Sequence, residues 1–391
     1  MTNFDHLKAN WSFPTQVLFG PGRIEALPQA CKAAGMSRPL LVTDPGLAAL
    51  PMVKETIERN GTAGVPTGLF SEIKGNPVGR NVEDGLKVYR DGAHDGVIAF
   101  GGGSALDAGK CIAFMAGQSK PMWLFEDKGD NWKQADPDGI APVIAVPTTA
   151  GTGSEVGRAG VILDESDHTK KVIFHPKMLP VTVISDPELT VGLPPPITAA
   201  TGMDALAHCL EAYCAPSYHP MAEGIAVEGM RLVKDWLPTA TKDGKNIEAR
   251  AHMLAAASMG ATAFQKGLGA IHALSHPIGA FYDTHHGLTN AVFMPYVLVN
   301  NRSVIEDKIV RLAAWLQIPD PSFGSFLKWV LALREELQIP HTLKDLGVGE
   351  ERFEEMAPMS VNDATAPGNP IPITTDSALK MFRATYEGQL A

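Results

Sequence analysis

Four residues, Asp204, His208, His272 and His286, combine carboxylate and imidazole side chains at spacings that suit a metal site. Asp204 and His208 lie four residues apart in the segment MDALAHCLEAY, so on a helix both side chains project from one face. His272 and His276 repeat this spacing, and His286 follows after a stretch that can turn and return. We expect one carboxylate and three imidazoles, those of His208, His272 and His286, to converge on a divalent metal ion.

A nitrogen-rich ligand set with one carboxylate suits zinc or ferrous iron better than magnesium or calcium, which prefer oxygen ligands. Four protein ligands could close a structural site, or they could leave a further position open for a substrate oxygen. A single histidine among twelve is more often an ordinary core or surface residue. Two pairs of ligand-type residues at helical spacing, set among small and apolar neighbours, nevertheless indicate a metal site.

The secondary-structure elements predicted along the chain fall into two groups. The first half alternates helical stretches with short β-branched runs, at 16–20, 39–44, 67–72, 95–102, 141–149 and 181–187. This alternation predicts a parallel sheet with helices on its faces. Beyond it the pattern is helical, with helices expected at 197–214, 220–239, 247–264, 270–280, 303–316, 322–337 and 374–388.

The boundary between the two groups is expected near residue 190, because the prolines of LPPPI (193–197) cannot continue a strand and can open a helix. We therefore predict an α/β nucleotide-binding domain with a parallel sheet over 1–190 and an all-α metal-binding, catalytic domain over 191–391.

Composition narrows the class of function. The chain has 391 residues, of which 45% are hydrophobic and 19% charged, and its net charge is −10. A protein with this negative net charge is not expected to bind nucleic acid or an anionic membrane, because both are negatively charged. A small-molecule substrate is therefore expected. The first residues, MTNFDHLKANW, lack a basic region followed by an apolar stretch, so a cytoplasmic protein is expected. The four cysteines form no CxxC pair and are expected to be reduced and structural.

A glycine-rich segment suggests where a nucleotide binds. The strand DGVIAF runs directly into GGGSALDAGK (101–110), where backbone amides at a helix N-terminus can approach a diphosphate. An ordinary tight turn is the alternative, although a turn needs only one glycine. The segment matches neither the dinucleotide fingerprint nor a P-loop, because Lys110 has the wrong spacing.

Two further polar positions follow strands. Asp44 ends the strand PLLVTD, where a carboxylate could bind ribose hydroxyls or simply cap a turn. Because that carboxylate would repel a 2′-phosphate, NAD is predicted in preference to NADP. Thr148, Thr149 and Thr152 in PTTAGTGSE could bind ribose or phosphate, or could satisfy their own backbone.

Taken together, GGGSALDAGK, PTTAGTGSE, the Asp204/His208 helix and HALSHPIGAFYDTHHG resemble the iron-containing (group III) alcohol dehydrogenase family in order and spacing along nearly the whole chain. The resemblance implies an N-terminal α/β nucleotide domain and a helical C-terminal domain. It also implies that Asp204, His208, His272 and His286 hold Fe²⁺, or Zn²⁺ in some members of the family. His276 matches a histidine that the family keeps near the nicotinamide without ligating metal. Positions matching cofactor contacts are Asp44, Asn76, Gly102, Gly103, Ser104, Thr148, Thr149, Thr152 and Lys170, although a one-residue slip would exchange Lys170 for Lys171.

The implied activity is NAD-dependent and metal-dependent interconversion of a small primary alcohol or diol with its aldehyde, by a homodimer or larger homo-oligomer. His276 could relay a proton toward solvent or only pack beside the cofactor. A polyol or hydroxy-acid dehydrogenase, of the glycerol or 4-hydroxybutyrate type, is the nearest alternative. A nonredox lyase or synthase that retains metal and NAD is a more distant one.

Overall fold

A computed structural model describes residues 15–390, so the N-terminal segment used above to predict a cytoplasmic location lies outside the described residues. Contacts between Cα atoms divide these residues into two compact units. One contains 15–149 and 153–192, and the other contains 150–152 and 193–390. The expected fold class, a parallel-sheet α/β domain and a helical domain, is confirmed.

The first unit is built on a six-stranded, fully parallel sheet. All six predicted strands are present, as β1 Gln16–Phe19, β2 Leu40–Val42, β3 Gly68–Phe70, β4 Val97–Gly101, β5 Val143–Pro147 and β8 Thr182–Ser185. Their order in the sheet is β1-β8-β5-β4-β2-β3, and the central strands β4 and β5 are continuous apolar runs that are buried on both faces, as expected where helices cover a parallel sheet. The helices of this unit are α1 Leu27–Ala33, α2 Pro45–Ala48, α3 Pro51–Thr62, α4 Gly79–Asp91 and α5 Gly103–Met115.

A separate antiparallel hairpin was not predicted. It consists of β6 Ala159–Asp164 and β7 Thr169–Phe174. In β6 buried residues alternate with partly exposed ones, and β7 carries two lysines, so neither strand has the continuous apolar character that identifies the strands of the main sheet.

The second unit is helical, with α6 Pro195–Cys214, α7 Pro220–Lys242, α8 Ile247–Ala263, α9 Ala270–Tyr282, α10 His286–Trp315, α11 Phe323–Glu336, α12 Phe353–Val361 and α13 Thr375–Glu387. The prediction of a helix over 303–316 was wrong at its start, because α10 begins at His286 and continues through Pro295. Helix α12 was not predicted, and it also contains an internal proline, Pro358. In both helices tertiary packing outweighs the local cost of proline.

Helix α6 lies at the centre of the helical core, with small and apolar residues buried around its whole circumference. Its last carbonyl groups are bound by the buried Lys266 ammonium, which donates to Ala212 and Tyr213 at 3.0 and 3.2 Å and also to Ala215. The helix that carries two of the candidate ligands is therefore held at its C-terminus. Between residues 15 and 390, no helix has the length and apolar character needed to cross a membrane.

Candidate metal and nucleotide sites

Asp204 and His208 lie one turn apart on α6, and both are almost fully buried. Prolines in the first turn fix the start of this helix, and alanine, glycine and leucine surround the two polar residues. Buried carboxylates and imidazoles are costly unless they are paired or bind an ion. Their presence inside an apolar helix therefore calls for a partner.

His272 on α9 and His286 at the start of α10 come to the same place. His272 Nε2 lies 3.0 Å from His208 Nε2 and 3.9 Å from Asp204 Oδ1. His286 Nε2 lies 3.8 Å from the same carboxylate oxygen. Candidate ligand atoms of Asp204, His208 and His272 all fall within 4.8 Å of one another. The structure thus brings the four predicted residues together around one point in the helical unit.

The donor set fits a transition-metal ion. Zinc–nitrogen bonds are about 2.0–2.1 Å long, so two imidazole nitrogens 3.0 Å apart can share one ion. Burial lowers the pKa of His208 to about 4, which leaves this imidazole neutral with a lone pair available at neutral pH. Burial opposes the cationic form of His272 as well, but the charges of Glu211 and Asp204 and the Glu211 hydrogen bond raise its pKa.

Asn290 gives a second indication that this point favours a positive group. It is fully buried on α10, and its amide nitrogen donates to Asp204 Oδ1 at 2.7 Å. The same nitrogen lies 3.2 Å from His272 Nε2 and 3.1 Å from His286 Nε2. Atoms of three candidate ligands therefore surround this amide nitrogen. Asn290 was missed in the sequence, although its position four residues after His286 was an available signal.

Glu211 was also missed. It is buried on α6, three residues after His208, and its Oε2 accepts a 2.6 Å hydrogen bond from His272 Nδ1. Its Oε1 accepts from the backbone N–H of Ile271, also at 2.6 Å. A carboxylate that binds the outer nitrogen of a histidine fixes the tautomer and directs the other nitrogen to the metal. The helical spacing of Asp204, His208 and Glu211 is visible in the sequence, but it does not by itself assign this role to the glutamate.

His276 lies one turn beyond His272 on α9 and outside the cluster of candidate ligand atoms. Its ring stacks on His286, with centroids 5.4 Å apart and an angle of 19° between planes. Its Nδ1 is 2.7 Å from Asp363 Oδ2. Burial would raise the pKa of Asp363, but His276 and hydrogen bonds from Thr365 outweigh burial and lower it. Asp363 was missed in the sequence, because no local pattern links it to a histidine 87 residues away.

The predicted nucleotide segment lies in the sheet unit, where β4 leads into α5. Gly101 has a φ of +147°, and a Cβ there would come within 2.8 Å of the Ala105 Cβ, so the strand can turn here only with glycine. Gly102 is the N-cap of α5 and Gly103 is its first residue. A Cβ on Gly102 would lie 3.2 Å from the Thr149 side chain. No side-chain hydrogen bond caps this 13-residue helix, so the backbone amides of its first turn can bind an anion.

Two buried hydroxyls near this turn have no hydrogen-bond partner among the described residues. One is Thr148 Oγ1, at the residue following β5, where the Thr148 N–H bonds the Gly101 carbonyl at 3.0 Å. The other is Thr43 Oγ1, on the residue that follows β2, which lies 3.7 Å from the position that a Cβ on Gly101 would occupy. Unsatisfied buried hydroxyls are rare in native proteins, so a polar ligand would complete this region. Thr43 was not among the predicted contacts.

The other residues predicted to contact the cofactor form hydrogen bonds of different kinds. Asp44 Oδ1 caps α2 by accepting from the Leu47 N–H at 2.9 Å. Lys170 Nζ donates to Asn76 Oδ1 at 2.9 Å, so these two predicted residues lie together. Ser104 Oγ donates to the Gly75 carbonyl one residue before Asn76.

The adjacent Lys171 instead forms ion pairs with Asp164 and Asp167, which favours Lys170 as the lysine of this group. Thr152 belongs to the short stretch 150–152 that groups with the helical unit. Lys110 is buried and donates to the Ser154 and Ala159 carbonyls, so its role is structural.

Comparison with known proteins gives matches along the chain. A family model described as iron-containing alcohol dehydrogenase matches residues 14–187, and a model of the C-terminal part of the same family matches residues 198–386. A 4-hydroxybutyrate dehydrogenase of Cupriavidus necator is 38% identical over 360 residues, which are 89% of this chain and 92% of that protein.

Two solved structures are also similar. A 1,3-propanediol oxidoreductase has a TM-score of 0.91 and 33% identity, with 97% of this chain and 100% of that chain covered. A sulfoacetaldehyde reductase of Bifidobacterium kashiwanohense, solved in complex with NAD⁺, has a TM-score of 0.87 and 26% identity, with 97% and 98% covered.

Proposed function

Because this chain belongs to the iron-containing alcohol dehydrogenase family and is an oxidoreductase acting on CH–OH donors, we propose that it interconverts a small primary alcohol or diol with its aldehyde, using NAD and a divalent metal ion. The observation that carries this proposal is the cluster of Asp204, His208 and His272 ligand atoms within 4.8 Å of one another, with His286 Nε2 3.8 Å from the same carboxylate. Fe²⁺ is the proposed ion and Zn²⁺ the alternative, since the same nitrogen and oxygen ligands bind both.

When bound, the ion supplies Lewis-acid polarisation of a substrate oxygen, and the dinucleotide supplies the hydride acceptor. Asp204, His208, His272 and His286 would hold the ion, and Glu211 orients the His272 ring. Oxidation of an alcohol to its aldehyde removes a hydride from carbon, which the bound dinucleotide would take, and a proton from oxygen. One proton is therefore released for each alcohol oxidised, and a side chain near the site could carry it toward solvent.

His276 is the proposed acceptor of that proton. Its Nδ1 is engaged by Asp363, which leaves Nε2 as the ring nitrogen that can take a proton and pass it toward solvent. The alternative is that His276 only packs beside the cofactor. Replacement of His276 by alanine distinguishes these roles, because loss of a proton acceptor lowers kcat while leaving bound metal in place.

The preference for NAD rests on Asp44, whose second carboxylate oxygen is not used in capping α2. A carboxylate beside an adenosine ribose would repel the 2′-phosphate of NADP. The unpaired hydroxyls of Thr43 and Thr148 and the glycine turn before α5 support a dinucleotide in this unit. The NAD⁺ complex of the sulfoacetaldehyde reductase supports the same cofactor. Homo-oligomeric assembly and a cytoplasmic location stay predictions.

A hydroxy-acid substrate is the second candidate, favoured by the 38% identity with a 4-hydroxybutyrate dehydrogenase. A matched panel separates it from a simple alcohol, because 1-butanol, 1,4-butanediol and 4-hydroxybutyrate share the reacting CH₂OH group and differ only at the far end. The proposed activity predicts a higher kcat/KM for the alcohol and diol. A preference for 4-hydroxybutyrate would instead assign the hydroxy-acid activity.

The test of the whole proposal is NADH formation by protein purified without oxygen, stripped with chelator and supplied separately with Fe²⁺ or Zn²⁺. Restored NADH formation with any member of the panel supports a metal-dependent dehydrogenase and identifies the working ion. Metal binding without NADH formation from any alcohol, and without NADH consumption by the matching aldehydes, would favour the nonredox alternative.

A further inference from the structure

Two histidines one turn apart on α9 each bind a buried carboxylate through the same ring nitrogen. His272 Nδ1 is 2.6 Å from Glu211, and His276 Nδ1 is 2.7 Å from Asp363. The two carboxylates come from different parts of the helical unit, α6 and the segment after α12. Glu211 serves a candidate metal ligand, whereas Asp363 serves a histidine outside the ligand cluster. The second pair therefore requires its own explanation.

We propose that Asp363 is a positioning residue for His276, which holds hydrogen on Nδ1 and leaves the lone pair on Nε2. This inference rests on the proposed function, in which His276 Nε2 accepts the substrate proton. An ionised carboxylate has no hydrogen to donate, so the ring nitrogen facing it must be the donor. The other nitrogen of a neutral imidazole is then the acceptor.

The carboxylate is itself fixed in orientation. Asp363 Oδ1 accepts from the Thr365 backbone N–H at 2.8 Å and from Thr365 Oγ1 at 2.6 Å. Oδ2 is the atom that faces His276, so both oxygens are occupied and the group cannot rotate without losing hydrogen bonds. Only 8% of the Asp363 side chain is exposed, so water cannot readily replace these partners. Asp363 and the stacked His286 ring together fix the His276 ring.

Asp363→Asn tests the tautomer with almost no change in shape. The amide oxygen can keep both bonds from Thr365, which places the NH₂ group opposite His276 Nδ1. Because an amide NH₂ only donates, His276 must then carry its hydrogen on Nε2 and cannot accept the substrate proton there. We expect kcat to fall by about 10²–10⁴-fold, the range that positioned proton transfer contributes, with bound metal unchanged.

The experiment compares wild type, Asp363→Asn, His276→Ala and the double variant. If Asp363 acts through His276, the double variant is no slower than His276→Ala alone, because a positioning residue has nothing left to position. Glu223→Gln is the matched control. It removes a partly buried carboxylate that pairs with Lys266 and Lys308 elsewhere in the helical unit, so it should lower Tm and leave kcat unchanged.

A second readout is independent of activity. In protein with ¹⁵N-labelled histidine, the His276 resonances, assigned by their loss in His276→Ala, should report hydrogen on Nδ1 in wild type and on Nε2 in Asp363→Asn. Multiplicative losses of kcat in the double variant, an unchanged kcat in Asp363→Asn, or an Nε2–H tautomer in wild type would overturn the inference. If wild type oxidises no alcohol with either metal, the proposed function fails, and the nitrogen spectrum alone decides whether Asp363 sets the tautomer.

Discussion

Replacement of Glu211 by glutamine should weaken metal binding without removing any metal ligand. The glutamate accepts two hydrogen bonds, one from His272 Nδ1 and one from the Ile271 N–H, both at 2.6 Å. Glutamine has one acceptor oxygen and one donor NH₂ group at the same two positions. In one orientation the NH₂ group faces the Ile271 N–H, and two buried donors oppose each other. In the other orientation the NH₂ group faces His272 Nδ1, so the His272 ring must carry its hydrogen on Nε2. That nitrogen is the one proposed to bind the metal.

The expected loss of metal affinity can be estimated from either orientation of the glutamine. A buried donor left without an acceptor costs about 1–3 kcal/mol. At 1.36 kcal/mol for each tenfold change, this corresponds to a metal Kd raised by roughly 5- to 150-fold. Loss of an outer partner of a metal-binding histidine typically costs about 10–100-fold in affinity or activity, which agrees with that range.

The assay is competition for Zn²⁺ or anaerobic Fe²⁺ between a chromophoric chelator and stripped protein, with circular dichroism used to confirm folding. Asp363→Asn is the matched control, because it neutralises the carboxylate of the neighbouring histidine, which is not a proposed ligand. We expect Glu211→Gln to raise Kd and Asp363→Asn to leave it unchanged. An unchanged Kd in folded Glu211→Gln protein would refute the reasoning that Glu211 orients His272.

Three further predictions follow from the same structure. His286→Ala should remove both bound metal and activity, whereas His276→Ala should keep the metal and lower kcat by about 10²–10⁴-fold, as judged by metal analysis and NADH absorbance. Asp44→Ser keeps a side chain able to cap α2 but removes the charge, so the ratio of kcat/KM for NADP to that for NAD should rise; an unchanged ratio would exclude Asp44 from cofactor selection. Burial lowers the pKa of Lys266 to about 8 from 10.5, so between these values the unfolded state binds more protons and this residue's contribution to stability rises with pH. Lys266→Met should remove that rise and lower the unfolding free energy by about 1–3 kcal/mol, measured by urea titration at pH 8 and pH 10.

Hydrophobic patterning was sufficient to predict the main sheet, since its central strands β2, β4 and β5 are continuous apolar runs that are buried on both faces. Patterning failed for β6 and β7, in which buried and partly exposed residues are mixed, and for the first half of α10. The long α10 shows why. Its first turn contains His286 and glycine, residues typical of a loop, but packing against α6 and α9 makes this segment helical.

The candidate site was predictable to the extent that it is local in sequence. Asp204 and His208 share one helical face, and this spacing is visible without a structure. Glu211 and Asn290 have helical spacing to a ligand too, but glutamate and asparagine are common on helices and the pattern alone does not select them. Asp363 could not be found, since its pairing with His276 depends on how α9 packs near the segment after α12.

The catalytic role of the metal cluster can be tested by titrating chelator-stripped protein with Fe²⁺ under anaerobic conditions while NADH formation from the best alcohol is followed. We expect no activity in the stripped protein and a linear rise that ends at about one ion per chain, with no recovery in His286→Ala. Full activity in verified metal-free protein, or a rise that is equally large in His286→Ala, would contradict the assignment of this cluster as the catalytic metal site.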